Sequence, residues 1–157
     1  MTTITPFLWF DGQLEEAMDF YVSLFGDSAV VNVNRLPDGA DGTPGNVLVA
    51  TFRIAGLEVM GLNGGPNYTL SPAFSFFVSC ADQAEVDRYW DALLEGGGRP
   101  DACGWLVDRF GVSWQIIPEA LMRLMSDPDP EKANRVMQAM LGMVKIDVAG
   151  LEAAYAG

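Results

Sequence analysis

The stretch PFLWFDGQLEEAMDFYVSLFGDS, residues 6–28, holds a β-strand, a tight break and an amphipathic helix in that order. Residues 4–10 are apolar and β-prone, which predicts the strand, and Asp11-Gly12 ends it. Apolar side chains then recur at spacings of three and four residues, which predicts a helix over residues 13–25 with one buried face. The members of that face are Leu14, Ala17, Met18, Tyr21 and Leu24.

The same order of elements returns in the second half of the chain. Tyr21 corresponds to Trp90 and Leu24 to Leu93, an offset of 69 residues in both cases. Residues 73–79 predict a strand and residues 82–95 a helix. Further strands are predicted over residues 29–36, 47–54 and 57–62 after the first helix, and over 104–110 and 112–117 after the second.

This repeat predicts an α+β fold made of two βαβββ modules within one domain, residues 1–157. The modules span residues 4–63 and 73–118, with a linker over 64–72 that is rich in Gly, Pro and Asn. Residues 119–157 form a helical tail, with helices predicted over 119–125, 131–143 and 147–155. The tail is rich in methionine, which favours packing on the sheets or on a second subunit.

Charge and composition limit the partners of the protein. Acidic residues outnumber basic ones by 21 to 9, and the net charge of −12 opposes binding to nucleic acid and to anionic membranes. No apolar run approaches the roughly 18 residues that a membrane span requires. The first residues carry no cationic segment, so we expect no signal peptide and a cytoplasmic protein.

The chain contains no histidine. Ser-His-Asp, Cys-His and imidazole–metal sites are thereby excluded. Cys80 and Cys103 are expected to be small buried hydrophobic residues. A general base would have to be Asp, Glu, Lys or Tyr, and the candidates are Glu58 and Asp108. For Asp108 the alternative is a hairpin role, which is the usual one for a charged residue beside a Gly turn such as Gly111.

Four segments, residues 6–28, 64–80, 103–118 and 127–157, carry a resemblance to a known family. With strings such as GGPNYTLSPAFSFFVSC and CGWLVDRFGVSWQIIP, the chain resembles the PhnB-like proteins of the glyoxalase/bleomycin-resistance (vicinal oxygen chelate) superfamily. Such proteins often carry the description 3-demethylubiquinone-9 3-methyltransferase domain. The resemblance implies paired modules whose curved mixed sheets surround a cavity, and it implies a homodimer.

Active members of that superfamily hold a divalent metal with His, Glu or Gln side chains from the first and last strands of the modules. Carried over to this chain, those positions fall at or near Pro6, Leu8, Met60, Ala73, Ser75 and Gln115. Only Gln115 can ligate, whereas a divalent cation needs several converging ligands. We therefore expect no metal and no cofactor.

Inward-facing strand positions would line any cavity, and strand alternation assigns them. The expected lining residues are Leu8, Phe10, Glu58, Met60, Ser75, Phe77, Ser113 and Gln115. The alternate positions, expected beneath the helices, are Phe7, Trp9, Phe74, Phe76, Val78 and Trp114. A slip of one residue would exchange the two sets.

Three functions remain open at this point. The favoured one is binding of a small, partly apolar molecule in the sheet-lined cavity, without a metal. The second is a metal-independent enzyme with Glu58 or Asp108 as base. For a methyltransferase, Gly12 alone follows the first strand, where S-adenosylmethionine sites commonly have a glycine-rich turn. The third is a structural dimer with a vestigial pocket.

Overall fold

The computed structural model describes all residues, Met1–Gly157, as two compact units. Unit 1 comprises Met1–Leu70 and unit 2 comprises Ser71–Gly157. The division therefore lies within the stretch of residues 64–72 that the sequence marks as a linker.

Unit 1 is a four-stranded mixed sheet with one helix. Its elements are β1 (Phe7–Phe10), α1 (Leu14–Leu24), β2 (Ala29–Arg35), β3 (Val47–Ile54) and β4 (Leu57–Asn63). The strand order is β1-β4-β3-β2. Only the β1–β4 pair is parallel, because α1 and two strands separate these neighbours along the chain.

Unit 2 repeats this arrangement. Its elements are β5 (Ser75–Cys80), α2 (Gln83–Leu94), β6 (Arg99–Pro100), β7 (Trp105–Val107) and β8 (Ser113–Pro118), with a single 3-10 turn over Ala102–Gly104 before β7. The strand order is β5-β8-β7-β6, again with its first and last strands parallel. Two βαβββ units and an α+β class are thus confirmed.

Both helices follow from local sequence signals. Asp82 caps α2, since its side chain accepts a hydrogen bond from the Glu85 N–H. The apolar face predicted for α2 is buried at Val86, Trp90 and Leu93. In α1 the predicted face is buried at Leu14, Ala17, Met18 and Tyr21. Each helix therefore covers one face of its sheet.

The two faces of β1 are exchanged relative to the prediction. Leu8 and Phe10 are only 2% and 3% exposed, whereas Phe7 is 52% exposed. Leu8 lies opposite Gly61 of β4, and a Cβ added at Gly61 would come within 2.5 Å of Leu14 Cδ1 on α1. Leu8 and Phe10 therefore pack beneath the helix, and their assignment to the cavity was wrong by one residue.

Phe7 and Trp9 consequently lie on the opposite face, in register with Met60 and Leu62. In unit 2 the predicted alternation holds, since Phe76 and Trp114 are buried in register with each other. Phe74 is another exception, because it precedes β5 and is 47% exposed.

The second half of unit 2 departs from the predicted strand lengths. Residues 104–110 are not one strand, since β7 ends at Val107 and a turn begins at Asp108. The strand of unit 2 that corresponds to β2 is the two-residue strand β6, which the sequence pattern indicates only weakly. Both strands are short because polar and glycine-rich segments flank them.

The tail forms three helices, α3 (Glu119–Met125), α4 (Pro130–Leu141) and α5 (Val148–Ala156), close to the predicted ranges. Pro130 begins α4, and the Asp129 side chain accepts a hydrogen bond from the Glu131 N–H. Together with the end of β8 they enclose an apolar cluster of Ile117, Leu121, Leu124, Val136, Ile146 and Leu151.

Hydrogen bonds from Arg135 attach the last helix to the rest of the tail. Its guanidinium donates hydrogen bonds to the carbonyl oxygens of Ala154 and Tyr155, at 2.9 and 2.8 Å. The Tyr155 hydroxyl in turn donates to Asp127 at 2.7 Å. Met122 stays 53% exposed, and packing against a second subunit stays a prediction.

No helix of the structure has the length and apolar content needed to cross a bilayer.

The backbone conformation of the β3–β4 turn gives a testable prediction. Ala55 and Gly56 both have positive φ, 48° and 82°, which is the pattern of a type I′ turn. Asn tolerates this conformation better than Ala, so Ala55→Asn is expected to raise the free energy of unfolding by about 0.5–1 kcal/mol. Urea denaturation measures this change in the free energy of unfolding. As the matched control, β-branched Ala55→Val should lower the unfolding free energy, and equal values for both variants would contradict the turn assignment.

Protonation of Asp127 in the tail gives a testable prediction. The hydrogen bond from Tyr155, assisted by the Asp129 N–H, holds the pKa of Asp127 below its usual value of 3.8. In Tyr155→Phe this pKa should rise, as carboxyl NMR titration would measure. The stabilisation by ionised Asp127 is complete above pH 3.8 and is lost as the pH falls through the lower folded-state pKa. An unchanged pKa in Tyr155→Phe would contradict this contact.

Candidate functional site

Each sheet has one face beneath its helix and a second face that we call the distal face. The distal face of unit 1 carries Phe7 and Trp9 from β1, and Glu58 and Met60 from β4. Glu58 and Met60 therefore lie on the face opposite Leu8 and Phe10, with which the sequence grouped them. Glu58 is exposed, and its cross-strand neighbour is Arg53 of β3.

Trp9 is held in place by the residues that follow β4. Its indole N–H donates a hydrogen bond to the carbonyl of Gly65 at 2.9 Å. A Cβ at Gly64 would lie 2.3 Å from the indole ring, so only glycine permits this close packing. Tyr68 meets the ring edge-on with centroids 4.9 Å apart. This side of unit 1 is therefore an aromatic surface with fixed geometry.

The distal face of unit 2 brings the four predicted residues together. Ser75 lies opposite Ser113, and Phe77 lies opposite Gln115, on the parallel strands β5 and β8. The side-chain amide of Gln115 donates a hydrogen bond to Ser75 Oγ at 3.0 Å. Phe77 is 50% exposed beside this pair, so apolar and polar groups alternate across the face.

Sequence reasoning missed Trp105, the other neighbour of Gln115. Trp105 lies directly opposite Gln115 on the antiparallel strand β7 and is half-buried. The hairpin is centred on Phe110, since 105 and 115 lie equally far from it. The strands predicted from the sequence, residues 104–110 and 112–117, place the centre of this turn at Gly111. That shift in register would separate Trp105 from Gln115.

Ser113 carries a buried hydroxyl without a hydrogen-bond partner. The residue is only 2% exposed, and its hydroxyl oxygen has no hydrogen-bond partner. Burying an unpaired hydroxyl costs about 1–3 kcal/mol, so such groups are uncommon in folded proteins. Ser113 shares its face with Gln115, two residues along the same strand.

The tail limits this face at one end. Ile117, two residues beyond Gln115 on β8, is 4% exposed within the apolar cluster of the tail helices. The backbone N–H groups of Cys103 and Gly104 donate hydrogen bonds to the carbonyls of Met143 and Val144, both at 2.8 Å. The tail is thus attached to the segment that leads directly into Trp105.

Asp108 has a structural role. Its Oδ1 accepts hydrogen bonds from the N–H groups of Phe110 and Val112, at 2.9 and 3.0 Å. Its Oδ2 accepts a hydrogen bond from the Trp114 indole at 2.9 Å. The carboxylate is 4% exposed, so these donors stabilise it in place of water. Asp108 therefore holds the β7–β8 turn, which is the hairpin role that a charged residue beside a Gly turn usually has.

The cysteines differ in environment. Cys80 is buried, and this burial, with the nearby carboxylates of Glu85 and Asp82, raises the pKa of its thiol to about 12. A thiolate at Cys80 is thus unfavourable at neutral pH. Cys103 is half-buried, with a left-handed backbone φ of 59° at the turn before β7.

The side chains do not fit the divalent metal that the superfamily uses. Met60 and Gln115 occupy equivalent places, each opposite a phenylalanine of the first strand in its unit. Leu8 faces α1 and has no donor atom, and no group of three or more Cys, Asp or Glu side chains converges. Single oxygen donors on a face do not replace the hydration shell of such an ion.

The turn held by Asp108 gives a testable prediction. Trp114→Phe removes the indole donor from Oδ2 of the buried carboxylate, which should lower the free energy of unfolding by about 1–3 kcal/mol beyond the loss of ring contacts. Trp90→Phe is the matched control, since Trp90 is 6% exposed and its indole makes no hydrogen bond. Chemical denaturation of both variants measures the difference. Equal losses would show that the indole–carboxylate bond contributes little.

Comparison with known proteins agrees with this architecture. The sequence profile of the family described as 3-demethylubiquinone-9 3-methyltransferase matches residues 2–117. A PhnB protein of Bacillus cereus, provisionally described as a 3-demethylubiquinone-9 3-methyltransferase, is 36% identical, with a TM-score of 0.67. That match covers 74% of this chain and 99% of the other.

Protein PA1353 of Pseudomonas aeruginosa is 24% identical, with a TM-score of 0.61, over 76% of this chain and 98% of the other. It supports the fold alone. No curated protein matches the sequence significantly. The family profile ends at residue 117, so the tail lies beyond the matched residues. With its two βαβββ units, this chain belongs to the PhnB-like family described as 3-demethylubiquinone-9 3-methyltransferase.

Proposed function

We propose that the protein binds a small, partly apolar molecule on the distal face of unit 2, without a metal held by its own side chains. The observation that carries this proposal is the buried, unpartnered hydroxyl of Ser113. It lies on the same face as the Gln115–Ser75 hydrogen bond and the half-exposed ring of Phe77.

The energetic argument concerns Ser113. An alanine at this position would fill nearly the same space and would bury no unpaired group. Retaining the hydroxyl is therefore unfavourable for the free protein, and it becomes favourable when a ligand supplies a hydrogen-bond partner. Stability sacrificed in this way is common where a side chain serves binding.

The apolar half of the site supports the same proposal. Phe77 and Trp105 lie on the two strands next to Gln115, one on each side of it. Aromatic side chains with a few polar groups between them are typical of sites for small organic ligands. The ring of Phe77 exposes half of its surface, which a ligand would remove from water.

Methyl transfer, which the family description names, has less support. Dinucleotide-type sites lie at the carboxyl ends of parallel strands, in a glycine-rich turn that opens a helix. Each sheet here has a single parallel pair, and the turn from β1 into α1 contains Gly12 alone. Glu58 remains the acid available on the distal face of unit 1.

A substitution at Ser113 tests the proposal through two opposite effects. Ser113→Ala should raise the free energy of unfolding by about 1 kcal/mol, because it removes the unpaired hydroxyl. The same variant should weaken binding of aromatic fragments by about tenfold, the loss of one hydrogen bond of about 1.4 kcal/mol. Binding is measured by NMR with a fragment library of neutral, anionic and cationic aromatic compounds.

The signals to follow are the side-chain amide of Gln115 and the indole N–H of Trp105. Ser23→Ala is the control, since Ser23 is an exposed serine of α1 in unit 1. A Ser113 that only supports the fold would lose stability on substitution and leave fragment affinity unchanged. That result, or a library in which no compound moves the two signals, would overturn the proposal.

A further inference from the structure

We infer that the distal face of unit 2 selects uncharged carboxamides attached to a planar apolar group. This inference rests on the proposed binding function and specifies its ligand class. Carboxamides here include lactams and ureas, which present the same neighbouring C=O and N–H groups. The selecting atoms are the hydroxyl of Ser113 and the amide oxygen of Gln115.

The first argument is hydrogen-bond complementarity. The Nε2 of Gln115 is used by Ser75, and the Oε1 of Gln115 accepts no hydrogen bond from the protein. The Ser113 hydroxyl is without any partner and can donate. The site therefore holds one acceptor at Gln115 and one donor at Ser113, and because Ser113 is buried a ligand reaches that donor only when the side chains that cover it move. A ligand that satisfies both must carry one donor and one acceptor side by side, which is what a carboxamide provides.

The second argument is spacing. Residues two apart on one strand face are separated by about 6.6–6.8 Å, which sets the distance between Ser113 and Gln115 along β8. The oxygen and nitrogen of a carboxamide are about 2.2 Å apart, from standard amide bond lengths. Two hydrogen bonds of about 2.9 Å each extend its reach to about 8 Å. One carboxamide can thus bridge the two side chains.

The third argument is charge. Among the paired residues of this sheet, Arg99 is the only charged one. It is exposed on the edge strand β6, opposite Val107, and two strand spacings of about 4.8 Å separate it from Ser113. No charged side chain of the paired strands is therefore a direct cross-strand neighbour of Ser113 or Gln115, although the protein as a whole carries −12.

Charged ligands are disfavoured for separate reasons. A carboxylate has acceptors only, so it would meet the Gln115 oxygen unfavourably unless the amide turned over and reorganised its bond to Ser75. An ammonium group would be attracted by the net charge of the protein, but it would lose hydration next to groups that carry no negative charge. The uncharged amide avoids both costs.

The experiment compares three probes with the same ring: benzamide, benzoate and benzylamine. Each is titrated into the 15N-labelled full-length protein, with the Gln115 amide and Trp105 indole signals followed by NMR. Benzamide should shift both signals with saturation in the millimolar range, as expected for a ligand of its size. Benzoate and benzylamine should bind at least tenfold more weakly.

Two variants of the same residue provide the matched pair. Gln115→Met keeps the length of the side chain and removes the acceptor, so benzamide affinity should fall about tenfold. Gln115→Glu adds a negative charge, so the preference should move to benzylamine. Ser23→Ala on α1 should leave all three affinities unchanged.

Benzoate binding as tight as that of benzamide, and lost in Arg99→Gln, would overturn the inference and assign the face to anions. A preference for benzylamine in the unchanged protein would overturn it as well. In both cases the binding function itself would stand. If none of the three probes moves the two signals while other library fragments do, the carboxamide preference alone fails. If the whole library fails, the binding function fails with it.

Discussion

The parallel pairing of the first and last strands in each unit determines which side chains the protein can present. In unit 2 this register places Phe76 and Trp114 together beneath α2 and leaves Phe77 and Gln115 on the opposite face. Side chains alternate along a strand, so a shift of one residue would put the amide into the core and the indole into solvent. The polar group of the site is therefore fixed by the same pairing that forms the core.

A second buried contact fixes the neighbouring hairpin. Asp108 accepts two N–H groups of the turn and the indole of Trp114, and this sets how β7 meets β8. The register that results places Trp105 beside Gln115. A charged residue beside a glycine turn usually serves the hairpin, and Asp108 has this role because its oxygens accept hydrogen bonds from the turn and from Trp114.

Helical and apolar periodicity predicted most elements and the repeat, because each helix buries a contiguous face that depends on local spacing alone. The assignment of strand faces depended on partners distant in sequence. It held for Ser75 and Gln115, and it failed for Leu8 and Phe10, whose orientation follows from Gly61 and Leu14 many residues away. The position of Trp105 beside Gln115 could not be predicted, because it depends on the register of the β7–β8 hairpin. The missing hydrogen bond of Ser113 could not be predicted either, because it depends on which groups the fold places near the hydroxyl.

The strand β8 contributes both to the distal face and to the core of the tail. Gln115 and Ile117 are adjacent on one face, and Ile117 is enclosed by helices that lie beyond the residues matched by the family profile. A segment that packs this near the distal face restricts which substitutions that face tolerates. Mutations that enlarge or shrink residue 117 are expected to displace residue 115, so the distal face and the tail sequence are expected to diversify together rather than independently.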